Sequence, residues 1–159
     1  MEYRELGNTG LKVSEIGMGC EGFVDHEGAY TKDLMDTAER YGVNYIDLYM
    51  PNPAIRRLIG EAMKGRRDKF ILQGHLCTVW KDGQYKRTRV IEEVKEGFED
   101  LLGNLGTDYI EVGMIHYVDS MEDWKVVVDG PVMEYAKELK KIGRIRHIGL
   151  SSHNPKVAA

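Results

Sequence analysis

Cysteine is scarce in this chain of 159 residues. Only Cys20 and Cys77 occur, far apart and without C-x-x-C spacing. That pattern gives no disulfide framework and no metal-cluster spacing, and it suits a reduced, cytoplasmic protein. Basic excess is also missing. Lys and Arg number 22 against 26 Asp and Glu, a formal net charge of −4, and no basic stripe is present. Nucleic acid is therefore not expected as a partner. No apolar run approaches the roughly 18 residues of a membrane helix, and no charged-then-apolar signal opens the chain. Membrane association is not expected. No low-complexity segment occurs, and the only repeat is an alternation of strand and helix. With 42% hydrophobic and 30% charged residues, the chain is not disordered, and its length allows one domain with a real core.

The stretch Asn44 to Pro53 organises what is present. Tyr45, Ile46 and Leu48 are strand formers, and Asp47 is a carboxylate inside that apolar run. A buried carboxylate needs a partner. Asn52-Pro53 then opens a helix, Asn as the cap and Pro at the first helical position. A charge at the C-terminal end of a parallel strand is where α/β proteins place chemistry, although an Asp that merely caps a loop has the same appearance.

Before this stretch, Arg4 to Ser14 reads as a hairpin turning at Gly7 to Gly10, followed by a short strand from Ser14 to Cys20. Glu21 to Tyr30 reads as loop, and Thr31 as the cap of a helix over residues 32–41, with Leu34, Ala38 and Tyr41 on one face. After Pro53 come a helix with Ile55, Leu58, Ile59 and Met63 at helical spacing and a strand from Lys69 to His75. Next are a polar loop over residues 77–86, a helix from Thr88 to Leu102 with Val90 on its apolar face, and a strand from Asp108 to His116. A helical or irregular stretch lies at Ser120 to Trp124, a helix at Val132 to Lys141, a strand at Arg146 to Ser151, and a new helix opens at Asn154-Pro155. These are about five βα units of an α/β fold. They fit an open doubly wound sheet or a partial (β/α)8 TIM barrel. Because the chain stops one turn into a capped helix, it reads as one domain, residues 1–159, forming the front portion of a longer chain.

Gly17-Met-Gly-Cys-Glu-Gly22 matches G-x-G-x-x-G after a strand. The dinucleotide fingerprint requires a helix to open directly there, whereas the following residues read as loop. A tight strand exit explains these glycines more simply. Polar residues recur at strand ends: Asp47, His75, His116 and the Ser151-Ser152-His153 group. In a parallel sheet all of them share one rim, although a lone strand-end His is commonly structural. Asp47, His75 and His116 also match the composition of a two-His-one-carboxylate metal site.

The segments Tyr3 to Ser14, Ile16 to Gly19, Gly42 to Asp47, Leu105 to His116 and Gly143 to Ser151 resemble, in order and spacing, the aldo/keto reductase family. The resemblance implies a (β/α)8 barrel, reduction of small carbonyl substrates by NADP(H) or NAD(H), and a site at the C-terminal rim. Asp47 matches the family's Asp and His116 its His. The family's Tyr, five positions after the Asp, is Asn52 here, with Tyr49 two positions on, and the family's strand-ending Lys is His75. Tyr49 shares strand parity with Asp47, and His75 can act as a cation or an acid. Asp47 would favour a protonated His75 by charge pairing. On the cofactor side, Ser151-Ser152 stands at the pair that holds the nicotinamide amide, with Gly19 at the first strand's exit. The family's phosphate-holding segments come mostly after the fifth strand, so weak cofactor binding is expected of this chain and its activity is in question. Gln73 to Trp80 and Ile148 to Pro155 are similar to the subset with a C-terminal iron–sulfur module, whose ligand cysteines would lie past Ala159. No cluster is assigned to this chain. Open barrel edges would favour a homo-oligomer, with Ile46, Ile71, Val112 and Ile148 partly open, and a non-catalytic, self-associating barrel fragment is the competing reading.

Overall fold

The structure is a computed structural model that describes residues 1–24 and 26–159. A hairpin of β1 (Tyr3–Glu5) and β2 (Lys12–Ser14) opens the chain, with Gly7 and Gly10 at positive φ in its turn. The chain continues as β3 (Met18–Gly19), α1 (Gly28–Arg40), β4 (Tyr45–Leu48), α2 (Pro53–Ala62) and β5 (Ile71–Leu76). A second hairpin, β6 (Thr78–Lys81) and β7 (Gln84–Arg87), precedes α3 (Ile91–Leu105) and β8 (Ile110–Ile115). Two helices, α4 (Met121–Val128) and α5 (Pro131–Lys141), lead to β9 (Ile145–Leu150) and α6 (Pro155–Ala158). Among the described residues, five strands pair in parallel in the order β3-β4-β5-β8-β9. This is the α/β, partial TIM-barrel architecture, with β3 and β9 as its edges.

Alternation along β4 divides the sheet into two faces. Ile46 and Leu48 are buried on the helix side, while Asp47 looks the other way. Ile46 pairs with Leu72 and Leu48 with Gly74. A Cβ on Gly74 would meet Leu101 of α3 at 2.6 Å. Ile46 therefore belongs to the helix–sheet core and not to an open barrel interior. Val112 is also buried; Ile71 and Ile148 are half-buried. The core gathers Met35 from α1, Ile55 and Ile59 from α2, and Val94, Phe98 and Leu102 from α3.

Local chemistry revised several expected boundaries. Helix α1 starts at Gly28, with Glu27 as its cap, so Thr31 is a buried helix residue and not a cap, and Tyr41 is exposed. The Glu21–Phe23 segment is a 3-10 turn rather than loop. Val90 is the exposed N-cap of α3, which runs on to Leu105 and stops at Gly106 in the left-handed conformation. Arg56, in α2, is buried between α2 and α3, its Nη1 donating to Asp100 at 3.0 Å. Residues 78–87 form a hairpin and not a polar loop. Asp82 and Gly83 both take positive φ, the two-residue turn that suits strand twist. The hairpin is pinned to α3 by Lys81, Lys86 and Thr88, which all donate to Glu93, and by close packing of Val79 over Gly97.

Helices α2 and α3 approach at Gly60, where a Cβ would lie 2.6 Å from the Leu105 carbonyl oxygen. Backbone cannot yield as a side chain does. Gly60→Ala should cost about 1–3 kcal/mol in denaturant unfolding. Gly103→Ala, whose Cβ meets nothing within 4 Å, should instead stabilise by about 0.4–1 kcal/mol. Equal effects of the two substitutions would contradict this packing.

Candidate active site at the strand ends

The register of β4 and β5 sets Asp47 opposite Gln73. Two residues on, His75 faces the same side. Gln73 Nε2 donates to Asp47 Oδ1 at 3.0 Å, and His75 Nε2 lies 2.9 Å from the same oxygen. Tyr45 donates its hydroxyl to Gln73 Oε1 at 2.5 Å. The other ring nitrogen of His75, Nδ1, lies 2.9 Å from His116 Nδ1, just past β8. His116 Nε2 in turn meets the Tyr85 hydroxyl at 3.0 Å, and the Ser151 hydroxyl lies 3.4 Å from His116 Nδ1. A continuous polar chain thus runs across three strands of the sheet to the second hairpin.

These groups open on a cleft of about 460 Å3 lined by Asp47, Tyr49, His75, Tyr85, His116 and Ser151, among others. A cleft of about 500 Å3 lies elsewhere, between the end of α2 and the end of α3, away from these strand ends. The Tyr49 ring stacks near His116, with centroids 6.0 Å apart, and its hydroxyl donates to Glu21 at 3.1 Å. Ser152 bonds Asp119 and the Asn154 carbonyl and does not line the cleft. Gly19 sits opposite Asp47 on β3, also outside the lining. Gly22 is followed by the end of the 3-10 turn, and α1 begins only at Gly28, so the glycine run does not feed a helix N-terminus.

The strand exits are held rigidly. Cys77 and Tyr117, one or two residues past β5 and β8, both take positive φ. Such conformations persist in non-glycine residues only when their surroundings enforce them. At Tyr117 Arg89 does so, donating to the carbonyls of His116 and Tyr117 while paired with both oxygens of Asp123, and at Cys77 the carbonyl accepts from the Thr88 N–H at 3.0 Å.

Charge in the cleft follows the same contacts. Burial works to raise the Asp47 pKa, but the hydrogen bond and charge of His75, with Gln73, outweigh it and hold the carboxyl below its ordinary range. Burial, with the charges of His75, Arg89 and Arg87, lowers the His116 pKa to about 4. Burial raises Tyr45 to about 12. Cys20 and Cys77 are free, buried thiols that burial holds protonated. Among the described residues, no group of three His, Cys, Asp or Glu side chains is placed to hold a metal ion. Asp47 and His116 take opposite nitrogens of His75, so the three do not converge on one centre.

The profile of the Aldo/keto reductase family matches residues 15–159. The chain belongs to the aldo/keto reductase family. It is 32% identical over 164 residues to an uncharacterized oxidoreductase of Bacillus subtilis, covering 99% of this chain and 51% of that protein. An aldo-keto reductase of the same organism is 30% identical, over 96% of this chain and 47% of its own. An aldo-keto reductase from Bacillus halodurans in its holo form superposes with a TM-score of 0.80 at 32% identity, covering 99% of this chain and 52% of that one; its apo form gives 0.70. The chain spans about half the length of the curated relatives it matches. In this aldo/keto reductase chain, Asn52 is occupied as the α2 cap, its Oδ1 accepting from the Ala54 N–H at 2.9 Å. The end of β5 carries His75, against Asp47. Tyr85 was not foreseen as a site residue; the Asp82-Gly83 turn signal between two short β-prone runs was the cue to the hairpin that presents it.

Unfolded, His116 takes up a proton near pH 6.5; folded, it resists until about 4. Between these values the unfolded chain binds more protons, so stability should fall as pH drops from 6.5 to 4. The stabilisation from Asp47, present above its ordinary pKa of 3.8, goes at lower pH, as the carboxyl titrates in the folded state. Urea midpoints measured across this range should show a flatter slope for His116→Gln. An unchanged slope would contradict a buried, neutral His116.

Proposed function

We propose that the chain carries the catalytic rim of an NAD(P)H-dependent reductase acting on small carbonyl compounds. The observation that carries this reading is the continuous polar chain from Asp47 through His75 to His116 at the parallel strand ends of an aldo/keto reductase fold. When bound, the reduced nicotinamide supplies a hydride. The residues present suit its nicotinamide end. Ser151 offers a hydroxyl in the cleft, and Tyr117 presents a partly exposed aromatic ring beside it, its backbone N–H donating to Ser151 Oγ at 3.0 Å. Ser152 is committed to Asp119, so Ser151 is the one of the pair positioned for the amide.

The chain's own groups divide the work. Asp47 orients His75 and balances its charge. His116 links His75 to the Tyr85 hydroxyl, which faces the cleft where a carbonyl oxygen would need a hydrogen-bond donor, and Tyr49 walls the cleft. Oriented donors of this kind stabilise developing oxyanion charge. The family's Lys-assisted Tyr is replaced by this histidine-based set.

A companion reading concerns assembly. The edges β3 and β9 carry no partner strand among the described residues, and an open parallel edge invites pairing. We read the chain as a cytoplasmic protein that associates with a second copy through this open side.

Two measurements test these readings. With millimolar NADPH, to offset weak cofactor binding, and 4-nitrobenzaldehyde, the protein should oxidise NADPH, and Asp47→Asn should lower kcat at least about tenfold. Equal rates for wild type and variant would remove Asp47 from the site. Light scattering at micromolar concentration should give a mass above the monomer, and a strict monomer would refute the association.

A further inference from the structure

The hydroxyl of Tyr85 ends the polar chain at the cleft. Tyr85 is 38% exposed and meets His116 Nε2 at 3.0 Å. Tyr49, the cleft tyrosine that the resemblance offered, already donates to Glu21. The bonding pattern decides where the protons lie. His75 Nε2 faces a carboxylate that only accepts, so it carries a proton. With a neutral His75, Nδ1 must accept, so His116 Nδ1 donates to it and His116 Nε2 accepts from the Tyr85 hydroxyl. One added proton reverses the outer part of the chain. His75, charged beside Asp47, then donates from Nδ1 to His116 Nδ1, His116 Nε2–H donates to the Tyr85 oxygen, and the Tyr85 proton is free to point into the cleft.

We propose that Tyr85 is the proton donor of this site and that the Asp47–His75–His116 chain reloads it. The proposal rests on the reductase reading above. The carbonyl carbon receives the hydride with its electron pair from the reduced nicotinamide, and the carbonyl π pair becomes the third lone pair of an alkoxide. That oxygen takes the Tyr85 proton and forms the alcohol. The phenolate takes the proton of His116 Nε2, and His116 Nδ1 takes the proton of His75 Nδ1. His75 returns neutral, still donating to Asp47. Between turnovers a solvent proton enters at the partly exposed Tyr85 hydroxyl, whose own proton passes to His116 Nε2 while the His116 Nδ1 proton passes to His75 Nδ1, and the charged state is restored. The hairpin that carries Tyr85 thus replaces the acid that Asn52 cannot be.

Neighbouring groups fit this direction of transfer. Burial raises the Tyr85 pKa, while Arg87 and Arg89 act the other way, and His116 itself resists charge. The added charge therefore stays next to Asp47, and His116 passes the proton by changing tautomer. Glu21, Tyr49, Arg87, Arg89, Tyr117 and His153 are the other titratable or charged groups about the cleft. Because the loaded state holds one extra proton, turnover falls as pH rises.

Two measurements together decide the matter. Steady-state kinetics with NADPH and 4-nitrobenzaldehyde should show that Tyr85→Phe lowers kcat about 100-fold or more and abolishes the fall of kcat with pH. Nitrogen-15 NMR of His116 in the wild-type chain, without cofactor, should show the Nδ1–H tautomer at high pH and the Nε2–H tautomer at low pH. If wild type turns over and Tyr85→Phe keeps kcat within threefold, the Tyr85 proposal alone fails. If His116 keeps one tautomer across the range, the relay fails. If wild type turns over no carbonyl, the reductase reading fails and the donor role goes with it.

Discussion

A carboxylate at the end of a buried strand must find donors, and the rim is built around how Asp47 finds them. Parallel register places Gln73 opposite Asp47 and sends His75 to the same side two residues later. Both reach the same carboxylate oxygen. Once His75 spends Nε2 on Asp47, only Nδ1 remains, and it meets His116 from the next strand. His116 then has one nitrogen for a group at the cleft, and Tyr85 takes it. Each link leaves its neighbour a single free position. The geometry therefore fixes an order of contacts and excludes a three-ligand centre made of the same residues.

The two faces of the sheet solve different problems. On the helix side, Ile46 and Leu72 are buried, Leu101 of α3 packs close over Gly74, and α2 and α3 approach so closely that a Cβ at Gly60 would meet backbone. On the other side, polar groups are placed where they can satisfy one another. Rigidity on the first face holds donor and acceptor distances on the second. At the rim, Arg89 and its partner Asp123 hold the backbone at Tyr117 in its positive φ, so that strand exit keeps its direction without glycine.

Much of this was legible in the sequence. Period-two alternation at Tyr45 to Leu48 marked both the strand and the odd charge on its open side. The Asn-Pro pairs at Asn52 and Asn154 marked helix starts that the structure shows as capped. Strand-ending histidines marked the rim. What escaped was decided by tertiary contact. Thr31 looks like a cap but lies inside a helix that begins at Gly28, which is close against Leu58, with Glu27 as the cap. The run of residues 78–87 is polar because one of its faces meets solvent, and its β character shows only in the Asp82-Gly83 turn.

The central claim is that Asp47 and Tyr85, at opposite ends of the chain, act as one connected unit. A double-mutant cycle on kcat tests it most directly, with Asp47→Asn, Tyr85→Phe and the pair measured under the same NADPH-dependent conditions. A connected chain is broken once by either change, so the double variant should be no slower than the slower single variant. Losses that multiply in the double variant would show two independent groups and contradict the account.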